Sequence, residues 1–190
     1  MKFADPIIQQ LAKIYPAPDF TDKSETLYES LIESIISQQL SIKAADTIFG
    51  RFKNLFPKTI FPTPEQMLVM PDETMRTAGI SFQKVSYIKS VADAFVSDLI
   101  DAKKIQKMTD EDVIAALTQI KGVGKWTAEM ILIFTLGRPD VFSVGDLGLR
   151  NAIKKLYGIT DQKEMLRLSE NWKPYRSYAS WYLWRSLENK

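Results

Sequence analysis

The stretch Ile120-Lys121-Gly122-Val123-Gly124-Lys125-Trp126-Thr127-Ala128 sets two glycines one residue apart between segments whose apolar residues recur at helical spacing. Glycines at 122 and 124 allow a sharp backbone turn, and a helix starting at Lys125 presents unpaired amides at its positive end. Such a nest holds a phosphate without side-chain charge, with Lys121 and Lys125 adding long-range attraction. A plain tight turn between helices fits the same residues. In either case Val123 plugs the gap between the two segments.

Outward from this turn the chain reads as helical nearly throughout. Upstream, Ile7, Ile8, Leu11 and Ile14 form one stripe, and Leu27, Leu31, Ile32, Ile35 and Ile36 another, over Leu27 to Ser37. Gln38 and Gln39 make a polar break, with Gln38 as loop support, and Ser41 caps a helix through Ala44, Ala45, Ile48 and Phe52. Thr63 before Pro64 and Asp72 before Glu73 mark two short helices as N-caps. Ser81 precedes a longer one whose stripe is Val85, Ile88, Val91, Ala92, Phe95 and Leu99. Thr109 with Asp112 resembles an acidic capping box leading into Val113 to Leu117. Past the glycines a helix runs from about Lys125 to Phe134, Gly137 to Asp140 break it, and Val141 to Gly145 is irregular. Asp146 opens a helix stopped at Gly158, and a last helix starts near Pro174. No strand pair is convincing, so an all-α fold of eight to ten helices is predicted.

Composition removes whole classes of chemistry. Among 190 residues there is no cysteine and no histidine, which excludes disulfides, thiolate nucleophiles, iron–sulfur clusters, imidazole-ligated metal sites and a histidine base. A carboxylate, a lysine, a tyrosine or the substrate's own reactivity must carry any reaction. The net charge is only +2, but nine basic residues stand against four acidic ones after Asp146, which suits a phosphate-facing side or an ordinary positive surface. No stretch is apolar enough to span a membrane, and Asp5 and Pro6 interrupt the opening MKFADPIIQQ, so a soluble, intracellular protein is expected, and with no sign of oligomerisation in the sequence a monomer is the default.

With Val141-Phe142-Ser143-Val144-Gly145-Asp146-Leu147-Gly148-Leu149-Arg150 added, the glycine turn resembles the helix-hairpin-helix element and aspartate-bearing loop of a DNA glycosylase superfamily. Ile35 to Ser41, Ala78-Gly79-Ile80-Ser81-Phe82-Gln83-Lys84 and Trp172 to Ala179 are similar to further signatures of its 3-methyladenine DNA glycosylase II branch. The resemblance implies a two-lobed helical fold with the active site in the interlobe cleft. Residues 35–135 would form the central lobe, and 1–34 with 136–190 a discontinuous one. It also implies the compact form, without an additional N-terminal sheet domain. The implied activity is monofunctional hydrolysis of the N-glycosidic bond of alkylated bases such as 3-methyladenine, 7-methylguanine or 1-methyladenine in double-stranded DNA, after base flipping.

Asp146 is the implied catalytic carboxylate, although its local sequence alone reads as an N-cap worth about 1 kcal/mol. The two roles agree, because the positive end of a helix favours a negative charge there. Trp126 stands where strand-cutting relatives carry a Schiff-base lysine, so no lyase step is implied; its bland alternative is core packing. Trp126 and Trp184 are candidate pocket rings for a cationic base, an attraction of roughly 0.5–2 kcal/mol. Met130 makes the pocket softer where relatives carry tyrosine, and Gly148 predicts a more open floor. Of the aromatic tail Trp172, Tyr175, Tyr178, Trp181 and Tyr182, mostly core, Tyr178 is the pocket candidate.

Gln39 matches the family's wedge region, and a polar loop residue is its plain alternative. Gly122, Val123, Gly124 and Lys125 belong to the implied phosphate grip, with Lys84 and Arg150 as candidates for neighbouring phosphates. No cofactor is required; a hydrated Na+ or K+ at the backbone carbonyls of hairpin 120–125 is implied, with no side-chain metal ligands. The alternatives are a glycosylase for a neutral lesion such as uracil or hypoxanthine, which would want directed polar contacts in the pocket, and a noncatalytic hairpin protein, which would not need Asp146.

Overall fold

The computed structural model describes residues 3–20 and 26–188; Met1, Lys2 and Lys190, which the sequence reading drew on, lie outside them. Among the described residues there are twelve α-helices, one π-helical turn and no strand. The fold is all-α as expected, with more helices than the eight to ten predicted. Two compact units share the chain: Ser24–Ile131, and Met1–Lys23 together with Leu132–Lys190. The boundaries read from sequence, 34/35 and 135/136, fall elsewhere because the helix from Leu27 packs with the central unit.

After α1 (Pro6–Ile14), the central unit holds in order α2 (Leu27–Ser37), α3 (Ile42–Asn54), α4 (Pro64–Val69), α5 (Asp72–Thr77), α6 (Phe82–Val96), α7 (Ala102–Ile105), α8 (Asp110–Leu117) and α9 (Lys125–Met130). The apolar stripe of α2, from Leu27 to Ile36, is buried against α6 and α3. Caps begin the helices as the sequence indicates: Thr26 and Thr63 form capping boxes with Glu29 and Gln66, and Ser41, Ser81 and Thr109 each accept an amide of the first turn. Asp72 is the exception. Pro71 occupies the N-cap position and Asp72 is the first helical residue. Leu99 was expected on the α6 stripe but is 52% exposed, because the helix ends at Val96 and the left-handed Asp98 brings Ile100 inward instead.

The second unit contains α1 (Pro6–Ile14), α10 (Leu147–Tyr157), α11 (Gln162–Glu170) and α12 (Arg176–Arg185). Its core joins Ile8 and Leu11 to Leu149, Ile153, Met165, Trp172 and Leu183, while Ile14, expected on the α1 stripe, is exposed. Asp5 ties this core together. Its Oδ1 accepts the amides of Ile7 and Ile8, and its Oδ2 accepts Tyr157 Oη–H and Trp172 Nε1–H, each at 3.0 Å. Burial and the Asp5 charge both push the Tyr157 phenol above its ordinary range.

Candidate functional site

Asp146 is placed by a loop fastened at its beginning. Arg176 grips the carboxylate of Asp140 through Nε and Nη2 at 2.9 and 3.0 Å, a bidentate pair. The Ser177 hydroxyl donates to the Arg138 carbonyl and accepts the Val141 amide. Residues 138–141 are thereby fixed to the start of α12. The irregular segment then runs to Asp146, whose own amide donates to the Ser143 carbonyl.

Asp146 is 8% exposed and caps α10: Oδ1 accepts the Leu149 amide at 2.7 Å and the Trp184 indole Nε1–H at 2.8 Å. The N-cap reading of this residue holds, and the same oxygen also accepts a ring N–H from α12. Gly148 permits the approach. A Cβ there would lie 3.0 Å from Trp184 Cδ1 and 3.1 Å from Asp146 Oδ1. The expected open floor at Gly148 is thus corrected, since the indole fills that space.

Trp184 has a ring neighbour that the sequence reading missed. Phe134 lies 5.7 Å from it between centroids, with planes 32° apart, and is 43% exposed. The π-helical turn Ile131–Thr135 sets this position, where a continued α-helix was predicted. The only available signal was an aromatic residue just ahead of the Gly137 break. Leu147, also unremarked in the sequence, is 65% exposed beside Asp146. Tyr178 is half-buried and packs on Phe20 at 4.9 Å and on Tyr175, so it belongs with the aromatic core of this unit. Arg150 is half-buried on α10, one turn beyond Asp146.

The glycine hairpin lies in the central unit and its residues differ in what they require. Gly122 has φ +94°, and a Cβ there would overlap Tyr87 at 2.3 Å from Cγ. Gly124 has ordinary φ and faces open space, and as N-cap of α9 it offers the first-turn amides no side-chain acceptor. Val123 is buried, as a plug between the segments should be. Lys125 is exposed and pairs with the buried Glu129 at 3.8 Å.

Around this hairpin are two recesses of about 500 Å³ each. One is lined by Gln38, Gln39, Lys84, Tyr87 and Gly122 to Gly124. The other is lined by Ser34, Ser37, Gln39, Leu40, Gly124 and Trp126. Trp126 is 43% exposed, which removes core packing as its explanation. Met130 is half-buried at the end of α9 and lines neither recess. Gln38 supports the hairpin as anticipated, donating Nε2–H to the Gly122 carbonyl at 3.2 Å. Lys84 departs from expectation. Its ammonium donates to the carbonyls of Ile36 and Gln38, both at 2.7 Å, where an outward reach to a phosphate was foreseen.

Among the described residues no side-chain cluster is suited to a metal ion. The hairpin carbonyls of Ile120 and Gly122 each accept one hydrogen bond, from Val123 N–H and from Gln38. Each retains a second lone pair, so the set fits a weakly held, hydrated alkali cation. Nor, among the described residues, is any helix long and apolar enough to cross a membrane.

Residues 32–176 match the HhH-GPD superfamily of base excision DNA repair proteins. The chain is 42% identical over 173 residues to DNA-3-methyladenine glycosylase 1 of Schizosaccharomyces pombe, covering 89% of this chain and 76% of the relative. A solved Schizosaccharomyces pombe 3-methyladenine DNA glycosylase in complex with abasic DNA superimposes with a TM-score of 0.87 at 39% identity, covering 96% of this chain and 92% of the other. A DNA-3-methyladenine glycosidase of Bacillus halodurans gives a TM-score of 0.82 at 39% identity, covering 96% and 84%.

Proposed function

The chain belongs to the HhH-GPD superfamily of base excision DNA repair proteins, and from that membership we propose that it is a monofunctional glycosylase for alkylated purines in double-stranded DNA. The observation that carries this reading is the Asp146 carboxylate, buried at the head of α10 and bound by the Leu149 amide and the Trp184 indole. The relatives named for 3-methyladenine support the substrate class.

A purine methylated at N3 or N7 already carries positive charge, so it departs as a neutral base with the electrons of the C1′–N bond and needs no protein acid. That suits a chain without histidine. Positive charge grows on the deoxyribose as the bond lengthens, and Asp146 stabilises it electrostatically. Water then adds at C1′ and loses a proton, leaving an abasic site. The exposed ring of Phe134 and the half-buried ring of Trp184 in the same unit offer a cationic base two aromatic surfaces.

Strand cleavage through a Schiff base would need a lysine where Trp126 stands, and the neighbouring Lys125 is turned along α9 to Glu129. Gly124, with no side chain and open space around it, allows a phosphate to approach the first amides of α9. Arg150 adds a cation near Asp146 on α10. A bound alkali ion at the hairpin would supply electrostatic attraction for that phosphate. We take the active species to be a monomer.

Incubation with duplexes carrying 3-methyladenine, 7-methylguanine, 1-methyladenine, hypoxanthine or uracil tests the reading. Release of at least one methylated base with the strand intact is expected. Release of uracil or hypoxanthine alone, or strand cleavage that persists without heat and alkali, would overturn it.

A further inference from the structure

We propose that Lys84 is a positioning residue for the turn that carries Gln39, locking it to the start of α6 and, through Gln38, to the glycine hairpin, instead of neutralising a DNA phosphate. The proposal rests on the glycosylase reading for what Gln39 does in DNA, namely occupy the space left by an everted nucleotide.

Two of the three donors of the Lys84 ammonium are taken by the carbonyls of Ile36 and Gln38, at the end of α2, where the helix dipole favours a cation. Burial lowers the basicity of this amine, as expected for a charge withdrawn from water. Gln38 carries the link onward. Its carbonyl is held by Lys84 while its side-chain amide donates to the Gly122 carbonyl. Gly122 in turn lies against Tyr87, one turn beyond Lys84 on α6. One helix thus supports both the Gln39 turn and the hairpin, all within the central unit.

The residue held by this network is in an uncommon conformation. Gln39 is exposed with φ +59°, a left-handed state that a residue bearing a Cβ keeps only where its surroundings over-determine it. The carbonyls on its N-terminal side are the ones Lys84 fixes. Without the ammonium, two helix-end carbonyls lose their partner and Gln39 is free to relax to ordinary backbone.

The test uses the full chain and a duplex with a tetrahydrofuran abasic site opposite 2-aminopurine, whose fluorescence rises when the orphaned base is unstacked. Wild type is expected to raise it, and Lys84→Met to lose most of that gain. A phosphate contact would contribute roughly 0.9 to the slope of log Kd against log salt, so an unchanged slope in Lys84→Met is expected and a slope reduced by that amount overturns the proposal. Gln38→Ala keeps the charge but cuts the tie to Gly122, and it is also expected to lose the gain. If Lys84→Met does not fold, Gln38→Ala decides. Full fluorescence gain in a folded Lys84→Met, or in Gln38→Ala when it alone is available, overturns the proposal. Absence of methylated-base release by wild type would sink the glycosylase reading separately, because the fluorescence signal requires no chemistry.

Discussion

Asp146 Oδ1 accepts two N–H donors, from Leu149 and Trp184, and an asparagine oxygen has the two lone pairs to accept both, more weakly than a carboxylate does. Asp146→Asn therefore keeps the helix cap and the indole contact at Oδ1 while it removes the charge and puts an amide donor in place of Oδ2. Base release in single-turnover assays is expected to fall at least about 100-fold, the scale of losing one transition-state charge stabiliser, with DNA affinity nearly retained. Near wild-type release would eliminate the assigned role. Gly148 permits a second experiment on the same atoms. Alanine at an α-helical position is favoured over glycine by up to about 1 kcal/mol, yet its Cβ would press on Trp184 and on Asp146 Oδ1 at 3.0 to 3.1 Å. Gly148→Ala should thus leave the midpoint of denaturant unfolding little changed while slowing excision by about tenfold or more, because displacement of a catalytic group by a fraction of an ångström is costly. Unaltered excision would mean that the indole and carboxylate tolerate movement, and that their contact is incidental.

At the scale of elements, the hairpin between α8 and α9 separates a glycine the fold requires from one it does not. Gly122→Ala combines a left-handed φ with a Cβ driven into the Tyr87 ring, and should cost stability well beyond the roughly 1 kcal/mol of the backbone conformation alone. Gly124→Ala meets nothing within 4 Å and has ordinary φ, so thermal unfolding should be unchanged while affinity for abasic duplex falls. The reverse pattern would assign the phosphate grip elsewhere. Sequence could place this hairpin but could not rank its two glycines, because the ranking depends on a ring from α6, more than thirty residues upstream. The same limit explains what else was legible. α2 and α10 were readable to within a residue because their stripes and caps are local. α7 is a single turn, whereas α11, QKEMLRLSE, carries local signals that went unread, the Asp161 cap and the Met165 and Leu168 pair at helical spacing. The π-helical turn that presents Phe134 has no local signature, and the Trp184 contact to Asp146 spans 38 positions. Asp146 and Trp184 could thus be named from sequence, but the hydrogen bond between them and the Phe134 ring beside Trp184 could not.

Across the whole molecule, one unit is assembled from two separate segments, residues 1–23 and 132–190, and the other from the continuous stretch between them. A unit assembled from distant segments depends on the contacts that join them, and Asp5 supplies several at once. Its carboxylate caps α1 while accepting Tyr157 from the end of α10 and the fully buried Trp172, 152 and 167 positions away. Asp5→Ala removes a cap worth about 1 kcal/mol and strands the buried Trp172 Nε1–H at about 1 to 3 kcal/mol, while the half-buried Tyr157 hydroxyl can turn to water, so a loss of roughly 2 to 4 kcal/mol is expected. Removing Trp172 instead would add a cavity, so Asp5 isolates the polar tie from the packing. Since α1 packs on α12, the helix that carries Trp184, the damage should reach the carboxylate-bearing unit first. Hydrogen exchange checks this directly: in Asp5→Ala, amides of α1, α10 and α12 should lose protection at denaturant concentrations where those of α2 and α6 retain it. Simultaneous loss in all five helices would mean that the two units unfold as one cooperative body, and that Asp5 stabilises the molecule without distinguishing its parts.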